Sequence, residues 1–287
     1  MQAQILREVV GRCRASLGKL ARVTTNLSTY RDRMRLARES ALAADANVRR
    51  DGHTLRESGV CRLDFPDPDM AETLSVCRTI IEERADTATR TGKGFFSQLI
   101  KSEDLWQNPV LLRTAMNPYV LDVMSACYGK LPFLESIELL VSYPNETGTL
   151  SQSQKWHIDR TDSMVVKQII YIDDVTEDNG PFSSLPPHES AKVPFLTKHY
   201  LDDDEIARYT DLARLTRVEG ATGTRMLVDT GRCYHFGSRV KRRRHALFYY
   251  YNTGFAKFAR QGHWRDTPAA RMDWSPLQRR VLDITGR

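Results

Sequence analysis

His157 and Asp159 stand two residues apart in the stretch Gln154-Lys155-Trp156-His157-Ile158-Asp159, and another histidine, His235, returns far downstream in Tyr234-His235. On a β-strand, residues i and i+2 point to the same face, so the first two can reach one ion if that face lines an interior. Imidazole and carboxylate together suit Fe(II), Mn(II) or Zn(II). Two histidines and one carboxylate complete one triangular face of a metal and leave the opposite positions open. Open positions are what a bidentate co-substrate and dioxygen need. His-x-Asp alone is a weak signal in a chain with 7 histidines, and a lone histidine is more often structural. The surroundings carry the weight. Trp156 precedes the pair, a dense β-branched run follows it, and then comes the turn Asn179-Gly180-Pro181. Leu227-Val228-Asp229-Thr230 leads to His235, and an arginine-led run, Arg244 to Asn252, follows that.

The elements that must position these residues fall in two groups. Residues 1–50 read as helical: Leu6, Val9, Val10, Cys13 and Leu17 recur at helical spacing, and Arg31 to Ala44 is rich in Arg, Ala, Leu and Glu. A helical layer packed on the domain is expected there, in preference to a basic membrane helix. Composition changes near Arg50-Asp51-Gly52, where the main domain (51–287) is expected to begin. A helix is predicted over Met70–Ala85, and one or two more between Asp104 and Gly129. After Pro132 the period changes. Strands are predicted over Ile137–Tyr143, Ser163–Asp173, Arg225–Val228 and Leu247–Tyr251, with a surface helix over Leu201–Leu215. A last helix is predicted to begin at Pro276, capped by Ser275. Helices first and strands later suggest an α+β or mainly β fold, a sandwich or open barrel with a helical layer on one side.

Composition narrows the class. The chain has 287 residues, 41% hydrophobic and 27% charged, enough for one large domain or two small ones. No run approaches the roughly 20 apolar residues of a membrane span. The first residues place charges where a signal peptide needs an apolar stretch, so a cytoplasmic protein is expected. The 5 scattered cysteines form no CxxC pair and read as free thiols. The formal charge of +6 slightly favours an anionic small molecule, a sugar acid or a lipid-linked group as substrate. Basic and aromatic residues do not interleave as in single-strand binders, and nucleic acid is not expected as a partner.

In three ordered segments the sequence resembles the phytanoyl-CoA dioxygenase-like branch of the Fe(II)/2-oxoglutarate-dependent oxygenases. They are Lys155 to Asp159, Tyr171 to Phe182, and Asp229 to Ser238. The resemblance covers residues 50–287. It implies a double-stranded β-helix (jelly-roll) core flanked by helices. It implies Fe(II) bound by His157, Asp159 and His235, with 2-oxoglutarate as co-substrate, oxidised to succinate and CO2 as dioxygen is split. The family's distal arginine opens a strand ending in Tyr-Asn; counting back from Asn252 gives Arg244, with Arg242 and Arg243 as alternatives. An arginine suits the task, because its planar fork meets a carboxylate with two charge-assisted hydrogen bonds. Lys167, and more weakly Tyr143, are candidates for a further polar contact to the co-substrate. The family's Pro-Gly-Ser-His after the Gly-Pro turn is replaced by Leu185-Pro186-Pro187-His188, which bears on the local loop and substrate lid. Asp159 occupies the position that related halogenases leave small for chloride, so hydroxylation is expected in preference to halogenation; desaturation or ring chemistry would use the same ligands. The other histidines are expected to be structural or at the surface, with His245 facing away from the site. Two other readings compete: a non-catalytic jelly roll that keeps the metal, and a basic nucleic-acid binder using Arg239 to Arg244.

Overall fold

A computed structural model describes residues 17, 20–21, 23–24, 27–88, 95–144, 148–195, 197–255 and 262–284. Leu6, Val9, Val10 and Cys13 of the first predicted helix lie outside them. The helices are α1 (Leu27–Ala43), α2 (Ala46–Ser58), α3 (Met70–Arg84), α4 (Ser102–Gln107), α5 (Val110–Ala115) and α6 (Pro118–Tyr128), followed late in the chain by α7 (Pro187–Ser190), α8 (Asp203–Ile206) and α9 (Pro276–Val281). The strands are β1 (Val60–Arg62), β2 (Phe96–Gln98), β3 (Phe133–Ser142), β4 (Val166–Tyr171), β5 (Phe182–Ser184), β6 (Thr216–Val218), β7 (Arg225–Asp229), β8 (His235–Phe236) and β9 (Arg244–Asn252). Two antiparallel sheets form, a large one of order β1-β7-β4-β9-β3-β2 and a small one of order β6-β5-β8.

Strand alternation decides what faces the cavity. On β9, Leu247, Tyr249 and Tyr251 share one buried apolar cluster with Leu139, Val141 and Ile170 and with Val120, Leu121, Val123 and Met124 of α6. The helices lie on that side of the large sheet, where the Tyr251 hydroxyl donates to Ala115 O of α5. The opposite face of the same strands offers Ala246, Ile169, Tyr171, Met226 and Val228, which meet Phe182 and Val218 of the small sheet. Arg244, Phe248 and Tyr250 share that inner face because they are spaced by two from Ala246.

Several local rules behave as the sequence predicts. Asn117 accepts from Tyr119 N at 3.0 Å and caps α6 ahead of Pro118. Ser275 accepts from Gln278 N at 3.3 Å and caps α9. Across the composition change at Arg50-Asp51-Gly52, α2 runs without interruption. Gly52 lets α2 close on α6, since a Cβ there would meet Ala126 Cβ at 3.1 Å and Cys127 N at 3.3 Å. The surface helix over Leu201–Leu215 shrinks to the single turn of α8, because Leu201 is buried and pairs with Trp156 in an antiparallel bridge. Farther back, the Arg33 guanidinium is buried and donates to Leu131 O at 3.0 Å and Pro132 O at 2.8 Å, which ties α1 to the start of β3. Cys61, Cys77, Cys127 and Cys233 are buried free thiols. Burial pushes Cys61 and Cys77 up to about 12 and Cys127 up to about 11, so these thiols are unreactive.

Candidate metal centre

The two histidine-bearing segments lie side by side. His157 and His235 form a bridge in which each backbone N–H donates to the other's carbonyl at 3.0 Å. Asp159 N donates to Thr230 O at 2.8 Å and extends that pairing. The residues flanking the histidines anchor the pair in a small apolar cluster of Trp156, Leu185, Leu201, Ile206, Tyr234 and Phe236. Trp156 meets Phe236 edge to face at 4.7 Å and donates its indole N–H to Asp203 at 2.7 Å. An aromatic residue beside each histidine therefore holds the ligand geometry from behind, and the side chains need not be held by the ion itself.

One ligand atom each from His157, Asp159 and His235 lies within 4.8 Å of the others. His157 Nε2 is 3.8 Å from Asp159 Oδ1, and His235 Nε2 is 3.8 Å from Asp159 Oδ2. His157 Nδ1 faces Lys155 O at 2.9 Å and His235 Nδ1 faces Cys233 O at 3.0 Å. A carbonyl only accepts, so Nδ1 carries the proton in both rings and each Nε2 lone pair points at the carboxylate. This is how a second hydrogen bond orients a metal-ligating imidazole. The donor set fits a divalent transition metal.

Burial, outweighing the nearby Asp159, lowers His157 to about 4, and burial with the neighbouring His157 ring holds His235 well below its ordinary value. Burial opposes ionisation of Asp159, but the Lys167 ammonium, then His235 and His157, hold the carboxyl well below the usual carboxylate range. The site is thus in its metal-binding protonation state at neutral pH. A stability consequence follows for the metal-free protein. The folded-state values of both histidines lie below the unfolded value of about 6.5, so the unfolded chain takes up protons first as pH falls. Stability falls from about pH 6.5 downward, for His157 until about 4, by ~1.4 kcal/mol per pH unit for each histidine at most. Thermal unfolding across that window measures the slope. His157→Gln should flatten it, and an unchanged slope in that variant contradicts the assignment.

Lys167 reaches into the cavity. Its Nζ lies 2.7 Å from Asp159 Oδ2 and 5.1 Å from the centre of the Tyr250 ring. It is a charge partner rather than a well-formed hydrogen-bond donor, since Asp159 Oδ2 has no partner in hydrogen-bond geometry.

Arg244 lies at one end of the same cavity, whose volume is about 760 Å3. Among the arginines from 242 to 244 it alone is buried: Arg243 is exposed and pairs with Asp86 at 2.7 Å, and Arg242 is exposed. The Arg244 guanidinium donates to Gly180 O and makes only long contacts to Ser238 Oγ at 3.4 Å and Ser142 Oγ at 3.5 Å. Its Nε has no partner, and no carboxylate pairs with it among the described residues. Burial pulls its pKa down. Gly180 presents its carbonyl from a left-handed turn at φ 60°, where a Cβ would meet the Arg239 backbone at 2.8 Å. Asp178 O accepts from Lys241 N at 2.7 Å and Arg242 N at 2.9 Å, so the Asn179-Gly180-Pro181 turn also clamps the basic run. The rest of that run is largely committed: Arg239 forks onto Asp203 and stacks 3.7 Å from the Phe236 ring centre, and Lys241 pairs with Asp178.

Tyr143 is not brought to the cavity. It follows Ser142, whose Oγ faces Arg244, and alternation turns it to the other side of the strand direction. Its hydroxyl donates to Ala85 O at 3.1 Å and its ring lies under Arg243. His245 faces away as expected, with Nδ1 2.6 Å from Asp173. Sequence reasoning missed Ser142 and Ser238 at the Arg244 end, and Phe96, Gln98 and Glu138 on the cavity wall. The alternation of β3 sets Glu138 and Ser142 on one face, but does not tell which face is interior. Sequence reasoning also missed His199 and Tyr200, whose rings lie 6.3 and 5.5 Å from that of His157.

No protein-family model and no curated protein matches the chain. Solved structures do match in fold. The non-heme alpha ketoglutarate dependent epimerase SnoN from nogalamycin biosynthesis is 17% identical, with 79% of this chain and 92% of that chain covered and a TM-score of 0.53. The carbocyclase SnoK from the same biosynthesis, also described as non-heme and alpha ketoglutarate dependent, is 15% identical over 74% of this chain and 85% of that chain, with a TM-score of 0.51. EctD from S. alaskensis, crystallised with 2-oxoglutarate and 5-hydroxyectoine, is 20% identical over 73% and 76%, with a TM-score of 0.51. The architecture is a jelly roll with flanking helices, the fold it shares with these structures. Among the described residues no helix is long and apolar enough to cross a membrane.

Proposed function

We propose that the chain is an Fe(II)/2-oxoglutarate-dependent dioxygenase that hydroxylates a small molecule. The observation that carries the reading is the buried, carboxylate-free guanidinium of Arg244 in the same cavity as the His157–Asp159–His235 set. A buried cation with one unpartnered N–H is costly alone and calls for an anion. A short dicarboxylate that chelates a metal at one end and meets a guanidinium at the other fits both requirements. The fold neighbours named for alpha ketoglutarate, and the three sequence segments of the phytanoyl-CoA dioxygenase-like branch, support it.

Fe(II) would be held by His157 Nε2, His235 Nε2 and the Asp159 carboxylate, and the far carboxylate of 2-oxoglutarate by Arg244. Bound Fe(II) and 2-oxoglutarate supply the activation of dioxygen, with succinate and CO2 as by-products. The chain's own share is positioning. The carbonyls of Lys155 and Cys233 fix the imidazoles. Lys167 balances the Asp159 charge and lies within reach of a co-substrate carboxylate at the metal end. Phe182 and Phe248 line the cavity with apolar surface that limits water.

Purified protein should release succinate from 2-oxoglutarate in a strictly Fe(II)-dependent way, slowly without substrate and faster with it. Anaerobic titration supplies the control. Tight metal binding with no binding of 2-oxoglutarate would replace this reading with that of a non-catalytic metal-binding jelly roll.

A further inference from the structure

From the cavity wall we infer that Glu138 selects a substrate that presents a cationic nitrogen; this rests on the oxygenase reading of the same site. Among the described residues, Asp159 and Glu138 are the two carboxylates that line the cavity. Asp159 is committed to the imidazoles and to Lys167. Glu138 is not: it is half-buried, and among the described residues no Lys, Arg or His pairs with it. Its neighbours are hydroxyls. Ser136 Oγ donates to it at 3.3 Å, and its charge adds to burial in holding the Tyr250 phenol protonated. The Ser136 bond leaves acceptor capacity free, since an ionised carboxylate offers about four acceptor sites.

The surroundings of Glu138 have the chemistry of an ammonium site. It lies across from Phe248 in the β3–β9 register, and Phe96, Phe248 and Tyr250 line the same cavity. The Phe248 and Tyr250 rings stack at 6.1 Å with 25° between planes. A carboxylate flanked by aromatic faces attracts a cation by both Coulomb and ring-quadrupole terms. The protein already demonstrates this, because the Lys167 ammonium sits over the Tyr250 ring. Among the described residues the cationic side chains of the cavity are Arg244, which faces Gly180 O, and Lys167, whose charge Asp159 offsets. With an anionic co-substrate on Arg244, the charge left without a counter-charge on the described wall is that of Glu138. The net charge of +6 pointed to an anionic substrate. The local wall has the opposite sign, and it is the wall that touches the ligand.

The test uses phenethylamine and 2-phenylethanol, which share one skeleton and differ in charge. Binding is followed by ligand-observed NMR on the full chain, metal-free and again with Mn(II) and N-oxalylglycine. Wild type should bind the amine at least about fivefold more tightly than the alcohol. Glu138→Gln keeps size and hydrogen bonding, and should bring the ratio to near one. A wild-type ratio below fivefold overturns the inference, and so does a preference that survives Glu138→Gln. The wild-type ratio decides alone if the variant does not fold. Failure of the oxygenase reading is seen separately, as absence of N-oxalylglycine binding, because the amine preference is read in the metal-free protein as well.

Discussion

Alanine at His157, Asp159 or His235 should abolish Fe(II)-dependent succinate release and leave a folded protein. The expected loss in metal affinity exceeds the ~10–100-fold typical of removing a mere supporting hydrogen bond around a site. Two of three protein ligands cannot hold the ion against water in an open site. The fold should survive because it does not depend on these side chains. The segments are joined by backbone bonds between residues 157 and 235, and the flanking Trp156, Tyr234 and Phe236 supply the packing. Each imidazole contributes one hydrogen bond to a carbonyl, worth ~1 kcal/mol. Asp159→Ala also strips Lys167 of its partner, so that variant should lose somewhat more stability than either histidine variant. Calorimetric titration with Fe(II) under anaerobic conditions, alongside thermal unfolding, separates the two effects. Full turnover in His157→Ala and Asp159→Ala would sink the assignment.

The site's metal end was legible because its chemistry is local. A two-residue spacing on extended chain sets both side chains toward one face, and the structure keeps that relation even though only Trp156 and His157 form bridges and no full strand forms there. The strand led by Arg244 was legible for a similar reason: its β-forming run pairs with β3 from Arg244 through Asn252. What escaped depends on contacts across elements. Leu201 to Leu215 has helical composition, yet Leu201 is claimed by Trp156, and tertiary pairing overrides propensity. Gly52 lies at the composition change near residue 50 and is a helix-packing contact inside α2, which only the facing α6 reveals. Tyr143 carries the right chemistry one residue out of phase with the cavity. Glu138 sits in phase, but nothing in its own stretch tells which face of β3 is interior.

Removing the Arg244 fork should weaken 2-oxoglutarate binding while sparing the metal. Truncating one partner of a buried, hydrogen-bonded charge pair costs about 2–4 kcal/mol, which is ~30- to 1,000-fold in affinity. Arg244→Met should therefore raise KM for 2-oxoglutarate within that range, with Fe(II) affinity unchanged. Arg242→Ala and Arg243→Ala should stay near wild type, because both side chains are exposed and Arg243 is spent on Asp86. The free protein discriminates further. In wild type the guanidinium is desolvated with Gly180 O as its one short partner and its Nε bare. Replacing it removes a desolvation cost along with that bond, and the two terms oppose, so the metal-free melting temperature should move little. The ligand-induced shift should behave differently. Wild type with a redox-inert metal should gain stability as 2-oxoglutarate is added, through mass action on the folded state. In Arg244→Met that gain should require ~30-fold or more of additional 2-oxoglutarate. Arg244→Lys keeps the charge but not the two-pronged geometry, and should fall between the two. Wild-type affinity in Arg244→Met, or a loss of equal size in Arg243→Ala, would move the co-substrate's far carboxylate to another residue of the loop.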